Sequence, residues 1–296
     1  MRALAEFVMR GRTQAIAVAT LAVASQFLVL IGVAIVGLVT LRRGPSNGLV
    51  ILAWTLLPAL AVALFGSDIG PALALIGATL AAQVLRSTQS WPLALLVAVG
   101  IGLLTAVLFQ TVAHGYVEQW STMFNQLVDR LSQGAADGSA ATNSADKGGV
   151  QFQRLSAAQI SGVLGWGTVS SITAGLLLAR WWQAKLYNPG GFRSEFHQLR
   201  LPLPIAAALL VCGLGVTAIG PDYEYWSWLF AVPLFVAGLA LVHGAIGIKK
   251  LGRGVLIAVY VALLLIGWMK LVLLLLALLD SGWNFRARLV SRTPSK

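Results

Sequence analysis

RWWQAKLYNPGGFRSEFHQLR, residues 180–200, interrupts a chain that is otherwise almost continuously apolar. It packs arginine, lysine, tryptophan and turn residues between two hydrophobic runs, 160–179 and 203–219. The rim of a bilayer selects such a composition, because aromatic rings settle at headgroup level and Lys and Arg are retained on the cytoplasmic side. Trp181, Trp182 and Tyr187 are therefore expected at the headgroups, with Pro189, Gly190 and Gly191 turning the chain. Beyond the turn, Phe192, Phe196 and Leu199 at i, i+4 and i+7 predict a short amphipathic helix. Its apolar face would lie on lipid or on the bundle, and Arg193, His197 and Arg200 would face lipid phosphates.

Working outward, 58% of the 296 residues are hydrophobic and only 10% are charged. A soluble domain carries about a quarter of its residues charged, so the chain is a polytopic membrane protein with no soluble domain left over. Apolar runs fall at 13–41, 49–65, 72–85, 91–113, 160–179, 203–219, 226–248 and 255–279. Hydrocarbon offers no partner to a backbone N–H or C=O, so runs this continuous must be helices rather than the alternating strands of a barrel. The expected fold is an all-α transmembrane helical bundle of about eight segments. Segment 72–85 spans only about 21 Å as helix, enough for a crossing that borrows its flanks or a half-span paired with 49–65. The first run has no small-residue cleavage site after it and reads as a retained segment. Cys212 is the single cysteine, which excludes an intrachain disulfide, a zinc cluster and an iron–sulfur site.

Charge sets orientation. Loops 42–48, 86–90, 180–202 and 249–254 are basic, holding Glu195 as their one acid, whereas Asp68, Glu118, Asp129, Asp137, Asp146, Asp222 and Glu224 mark the alternate loops. The basic set is expected in the cytoplasm, as for a multi-pass protein of a bacterial inner membrane. Simple parity then sends both termini to the acidic side, although the N-terminus carries Arg2, Arg10 and Arg12 and the tail carries Arg286, Arg288, Arg292 and Lys296. At the N-terminus the conflict predicts a helical hairpin in 13–41, which is about 40 Å long as one helix, broken at Ser25-Gln26. At the C-terminus two readings stay open: a tilted single span, or a second break near Gly267-Trp268-Met269-Lys270.

The external stretch after 113 has two parts. Val117, Trp120, Phe124, Leu127, Val128 and Leu131 recur at helical spacing, predicting an amphipathic helix on the outer leaflet or over the bundle. Residues 133–149 lack aromatics and branched aliphatics and read as a flexible linker. The organisation is thus a transmembrane part at 1–132, the linker, and a second transmembrane part at 150–296, with no convincing internal repeat.

Polar residues inside apolar runs are the candidates for chemistry. Lys270 lies deep in one, and an intramembrane cation usually faces a polar cavity on a substrate or proton path; the alternative is a side chain that snorkels or marks the helix break. Gln26, Gln83 and His243 complete the candidate ligand-binding set. Gly167, Ser171 and Gly175, and Ala240 with Gly244, form small-residue stripes suited to close helix packing, and GLGVTAIG at 213–220 reads the same way. His114, His197 and His243 are far apart, and there is no HExxH, GxxxxGK[ST] or GxSxG, so no metal, cofactor, nucleotide or catalytic site is expected. The net charge of +11 is spread over cytoplasmic loops, pointing to anionic lipid rather than nucleic acid.

MRALAEFVMRGR at 1–12, LVTLRRG at 38–44, LRSTQSW at 85–91, ARWWQAKLYNPGGFRSEFHQLRLP at 179–202 and LLDSGWNFRARL at 278–289 together resemble the YybS-like family of bacterial membrane proteins, in its proteobacterial branch. The resemblance implies a helical bundle with a broken first hairpin and brings no known activity. It extends distantly to the S components of energy-coupling-factor transporters and to the cell-shape protein MreD. S components dock their energising partner through small residues four apart in the first helix, a spacing that Ala15 and Ala19 share. Two functions follow as expectations. One is a protein that binds or transports a small metabolite in a pocket between helices on the outer side. The other is a membrane scaffold that docks a membrane or cytoplasmic protein partner through Arg180, Trp181, Trp182, Lys185, Arg193, Phe196, His197 and Arg200.

Overall fold

The structure, a computed structural model, describes residues 2–139 and 153–291. Every regular element among them is helical. The helices are α1 (Arg2–Arg10), α2 (Arg12–Ala24), α3 (Val29–Arg43), α4 (Pro45–Gly66), α5 (Gly70–Thr88), α6 (Trp91–Thr111), α7 (His114–Ser139), α8 (Ala157–Tyr187), α9 (Gly191–Gln198), α10 (Leu203–Ile219), α11 (Ser227–Ile248), α12 (Arg253–Leu265), α13 (Met269–Trp283) and α14 (Phe285–Ser291), with a 3₁₀ turn at Pro221–Trp226. Four of them are by themselves long and apolar enough to cross a membrane, or up to six spans if each of two bent pairs counts as one. The all-α membrane bundle is therefore the fold. Residues 140–149 of the expected linker lie outside the described residues, as do Arg292 and Lys296; α7 continues through 133–139.

Helix α8 is the organising element. Its 31 residues make about 47 Å of helix, longer than the run 160–179 alone suggested, and it packs on α3, α5, α6 and α11. A capping box starts it, Ser156 accepting from the Gln159 N–H while the Gln159 side chain accepts from the Ser156 N–H. Helices α6 and α8 approach closely. A Cβ on Gly102 would lie 2.1 Å from a Val169 methyl and 2.9 Å from the Gly165 carbonyl. Gly175 likewise faces Val33 of α3. Of the expected stripe on α8, Gly175 packs, but Gly167 faces open space, and the tight contact belongs to Gly165.

Both terminal runs are broken hairpins. The first breaks at residues 25–28, where Gln26 takes φ 61°, and α2 and α3 pack on each other. In a turn set among apolar residues, backbone groups freed from the helix need local partners. The Ser25 hydroxyl donates to the Ala22 carbonyl and accepts from the Leu28 N–H, and the Gln26 amide donates to the Val23 carbonyl. At the other end α12 and α13 are bent by 120° at residues 266–268, which decides between the two C-terminal readings for the break.

These hairpins resolve the charge conflict. Arg43 donates to the Met9 carbonyl, Arg86 to Leu41, Arg200 to Asp280 and Ser281, and Arg286 to Leu199. Those contacts gather α1, α14 and the basic loops at one end of the bundle. Gln110 with Tyr223, Gln159 with the Pro221 carbonyl and Trp226 with the Ala158 carbonyl close the acidic end. There α7 docks through Ser121 and Asn125 on Leu155 and turns Trp120, Met123, Phe124, Leu127 and Leu131 outward.

Candidate functional site: a basic cleft between α9, α11 and α12

The opening stretch folds as a turn and a short helix because Gly190, at φ 90°, occupies the left-handed region where glycine carries no Cβ penalty. Helix α9 then settles on the basic end of α11. A Cβ on Gly244 would meet the His197 carbonyl at 2.9 Å, and one on Gly247 would meet the His197 ring at 2.9 Å. Two glycines three residues apart thus let α9 descend onto α11. Phe192 stacks on Phe196, 5.7 Å between centroids, and Phe196 meets His243 edge-on at 5.4 Å.

His243 is fixed on both sides. Its Nδ1 lies 2.9 Å from the Leu239 carbonyl and its Nε2 lies 3.4 Å from the Tyr260 hydroxyl. A carbonyl only accepts, so Nδ1 carries a proton, and Nε2 shares a hydrogen bond with the Tyr260 hydroxyl, which can donate or accept. This contact ties α12 to α11. His197 stands 6.3 Å from His243 between ring centroids. Burial first, then the positive charge of Arg193, then His243 and Arg286, hold its imidazole below the usual histidine range.

Two adjoining clefts of 500 and 540 Å³ open here and share Arg193, His197 and His243. The first adds Lys250, Leu251, Arg253 and Leu256; the second adds Trp181, Lys185, Phe192, Phe196 and Tyr260. Neither lining contains a carboxylate. Glu195, the acid of this segment, is turned away, paired with Arg180 at 2.8 Å and accepting from the Trp91 indole at 2.6 Å. Arg286 beside the cleft is already committed, donating to Leu199 and facing Asp280 at 3.7 Å.

Of the expected docking residues, Trp181, Lys185, Arg193, Phe196 and His197 line the clefts. The other three serve the fold. Arg180 is held by Glu195 and Gln183. Trp182 is fully buried within the chain. Arg200, expected on lipid phosphates, instead caps α13 by donating to the Asp280 and Ser281 carbonyls at 2.8 and 2.6 Å.

The candidate ligand-binding set does not converge. His243 lines the clefts, whereas Gln26 holds the first hairpin turn and Gln83 lies on α5, its Oε1 buried without a partner. Lys270 is exposed on the second residue of α13, beside the break, not in a bundle cavity. Ala15 and Ala19 are buried within this chain, which leaves neither free to dock a partner. Lys250, Arg253 and Tyr260 were the residues the sequence reading missed as cleft walls; only the glycines beside His243 hinted that another element approaches there. Among the described residues no cluster of His, Cys, Asp and Glu could hold a metal ion.

Comparison with protein families, curated proteins and solved structures finds no match to this chain.

Proposed function

We propose that the protein is a small-molecule-binding, transport-related membrane protein of the bacterial inner membrane, whose ligand is an anion received on the basic face. One observation carries this reading: Arg193, Lys250 and Arg253 line one cleft, Arg193 and Lys185 line the adjoining one, and neither lining holds a carboxylate. Cations gathered without counter-charge repel one another, and a bound anion relieves that repulsion. The positive-inside distribution assigns this face to the cytoplasm. The two broken hairpins support a transport role, since discontinuous helices recur in transporters, with energy supplied by another subunit. The resemblance to the YybS-like family and its distant likeness to S components agree with this reading. A scaffold docking through residues 180–200 is less well supported, because Arg180, Trp182 and Arg200 are already occupied within the chain.

The test is thermal unfolding of purified protein titrated with inorganic phosphate and pyrophosphate, against potassium chloride at matched ionic strength. A specific anion raises the midpoint progressively with the logarithm of its concentration, the stability gained being about 2.7 kcal/mol at a hundredfold excess over Kd. The rise disappears in an Arg193→Gln, Arg253→Gln variant. A response that follows ionic strength alone, or that the variant retains, rejects the reading.

A further inference from the structure

We infer that the cleft takes a phosphate-bearing lipid, its phosphate held by Arg193, Lys250 and Arg253 and its hydrocarbon running between α11 and α12. The inference rests on the proposed anion site and names the class of anion. Both walls change polarity in the same direction. Along α12 the cleft-facing residues run Arg253, Leu256, Tyr260; along the α11 side they run Lys250, Ile246, His243. Each wall therefore starts with a cation at the basic end and turns apolar or aromatic within two helical turns, which is the gradient of an amphiphile and not of a soluble anion.

The slot also opens sideways. Helix α12 diverges from α13 by a 120° bend, and Leu263 is its one buried residue. The tie to α11 is the Tyr260–His243 contact near the middle of α12. A small soluble anion needs no apolar exit; an acyl chain does. Free phosphate shares the headgroup chemistry, so the two sources must be separated by measurement.

The experiment uses the full chain purified in neutral detergent, with retained phosphatidylglycerol and phosphatidylcholine counted by native mass spectrometry and inorganic phosphate binding measured in parallel. Phosphatidylglycerol is expected to be retained over phosphatidylcholine. Neutralising Arg193, Lys250 and Arg253 to Gln should weaken it on the order of a hundredfold, since each interfacial cation contributes about a fivefold factor. Neutralising Arg2, Arg10 and Arg12 should leave it unchanged. Leu256→Trp, which fills the slot, should weaken the lipid and spare phosphate, and Arg193→Lys with Arg253→Lys should keep lipid binding while reporting a folded protein. Equal retention of the two lipids, or equal loss on neutralising the remote arginines, overturns the inference as general surface attraction. Phosphate binding that persists while Leu256→Trp leaves the lipid untouched overturns the lipid class but spares the anion site. Absence of both phosphate and phosphatidylglycerol binding overturns both readings.

Discussion

Arg193 and Arg200 lie seven residues apart on one short segment, and their partners give them opposite roles. Arg200 donates from Nε and Nη2 to two carbonyls in the last turn of α13, Ser281 and Asp280, the latter shared with the Asn284 N–H; the last carbonyls of a helix lack a full set of intrahelical partners. Hydrogen bonds to a charged donor are worth about 1.5–3 kcal/mol each, and a glutamine amide can replace at most one of the two, so Arg200→Gln should lower stability by roughly 2 kcal/mol, read from the unfolding midpoint in detergent. Arg193→Gln, at the cleft, should fall within about 0.5 kcal/mol of wild type, as an unpaired surface change does. Equal losses would show that Arg200 is not a structural clamp. His197 supplies a pH dependence with a defined sign. Its pKa is lowered on folding by burial and by Arg193, His243 and Arg286, so the unfolded chain binds the proton more tightly. Its contribution is present above the ordinary value of 6.5 and is lost as pH falls from there toward the folded value. Unfolding midpoints measured from pH 8 to 5 should decline below about 6.5, and His197→Gln should flatten that decline.

At the scale of elements, the contact between α6 and α8 is sensitive to volume. Gly102→Ala places a methyl group 2.9 Å from the Gly165 carbonyl and into Val169, and backbone cannot rotate away as a side chain can. Overpacking of this kind costs about 1–3 kcal/mol; Gly100→Ala, with open space around it, should cost nothing measurable. Gly102 was legible only as one glycine among 31, because small-residue spacing does not say which face of a helix meets a neighbour. That is why Gly167 was expected to pack and Gly165 does. The first hairpin was legible for a sharper reason. A run too long for one upright span, basic at its start and followed by basic residues at 42 and 43, admits few other paths, and Ser25-Gln26 is its polar interruption. Lys270 was misleading on the same logic, since a cation in an apolar run can mark either a cavity or a break, and the sequence does not separate the two. The cleft was half legible: the aromatic basic segment announced itself, but the wall from α11 and α12 lies more than 40 residues downstream and only folding brings it alongside.

For the whole molecule, the consequence is an arrangement of charge. Both hairpins return the chain to its starting face, so α1, α9, the α11–α12 turn and α14 share one end of the bundle. If Lys and Arg are retained on the cytoplasmic side, as the proposed function holds, both ends of the described chain are expected to face the cytoplasm with Arg193, and Asp68, Asp222 and the start of α7 to face outward. Single cysteines test this in a Cys212→Ala background, which removes the exposed native thiol. In intact cells, a membrane-impermeant maleimide should leave Arg2→Cys, Ser194→Cys and Arg288→Cys unlabelled and should label Asp222→Cys; all four should react after permeabilisation. Labelling of Arg288→Cys in intact cells would mean that α12 and α13 form a crossing rather than a returning hairpin, and would separate α14 from the cleft it borders. Labelling of Ser194→Cys would turn the cleft outward, and with it the side from which any ligand must come.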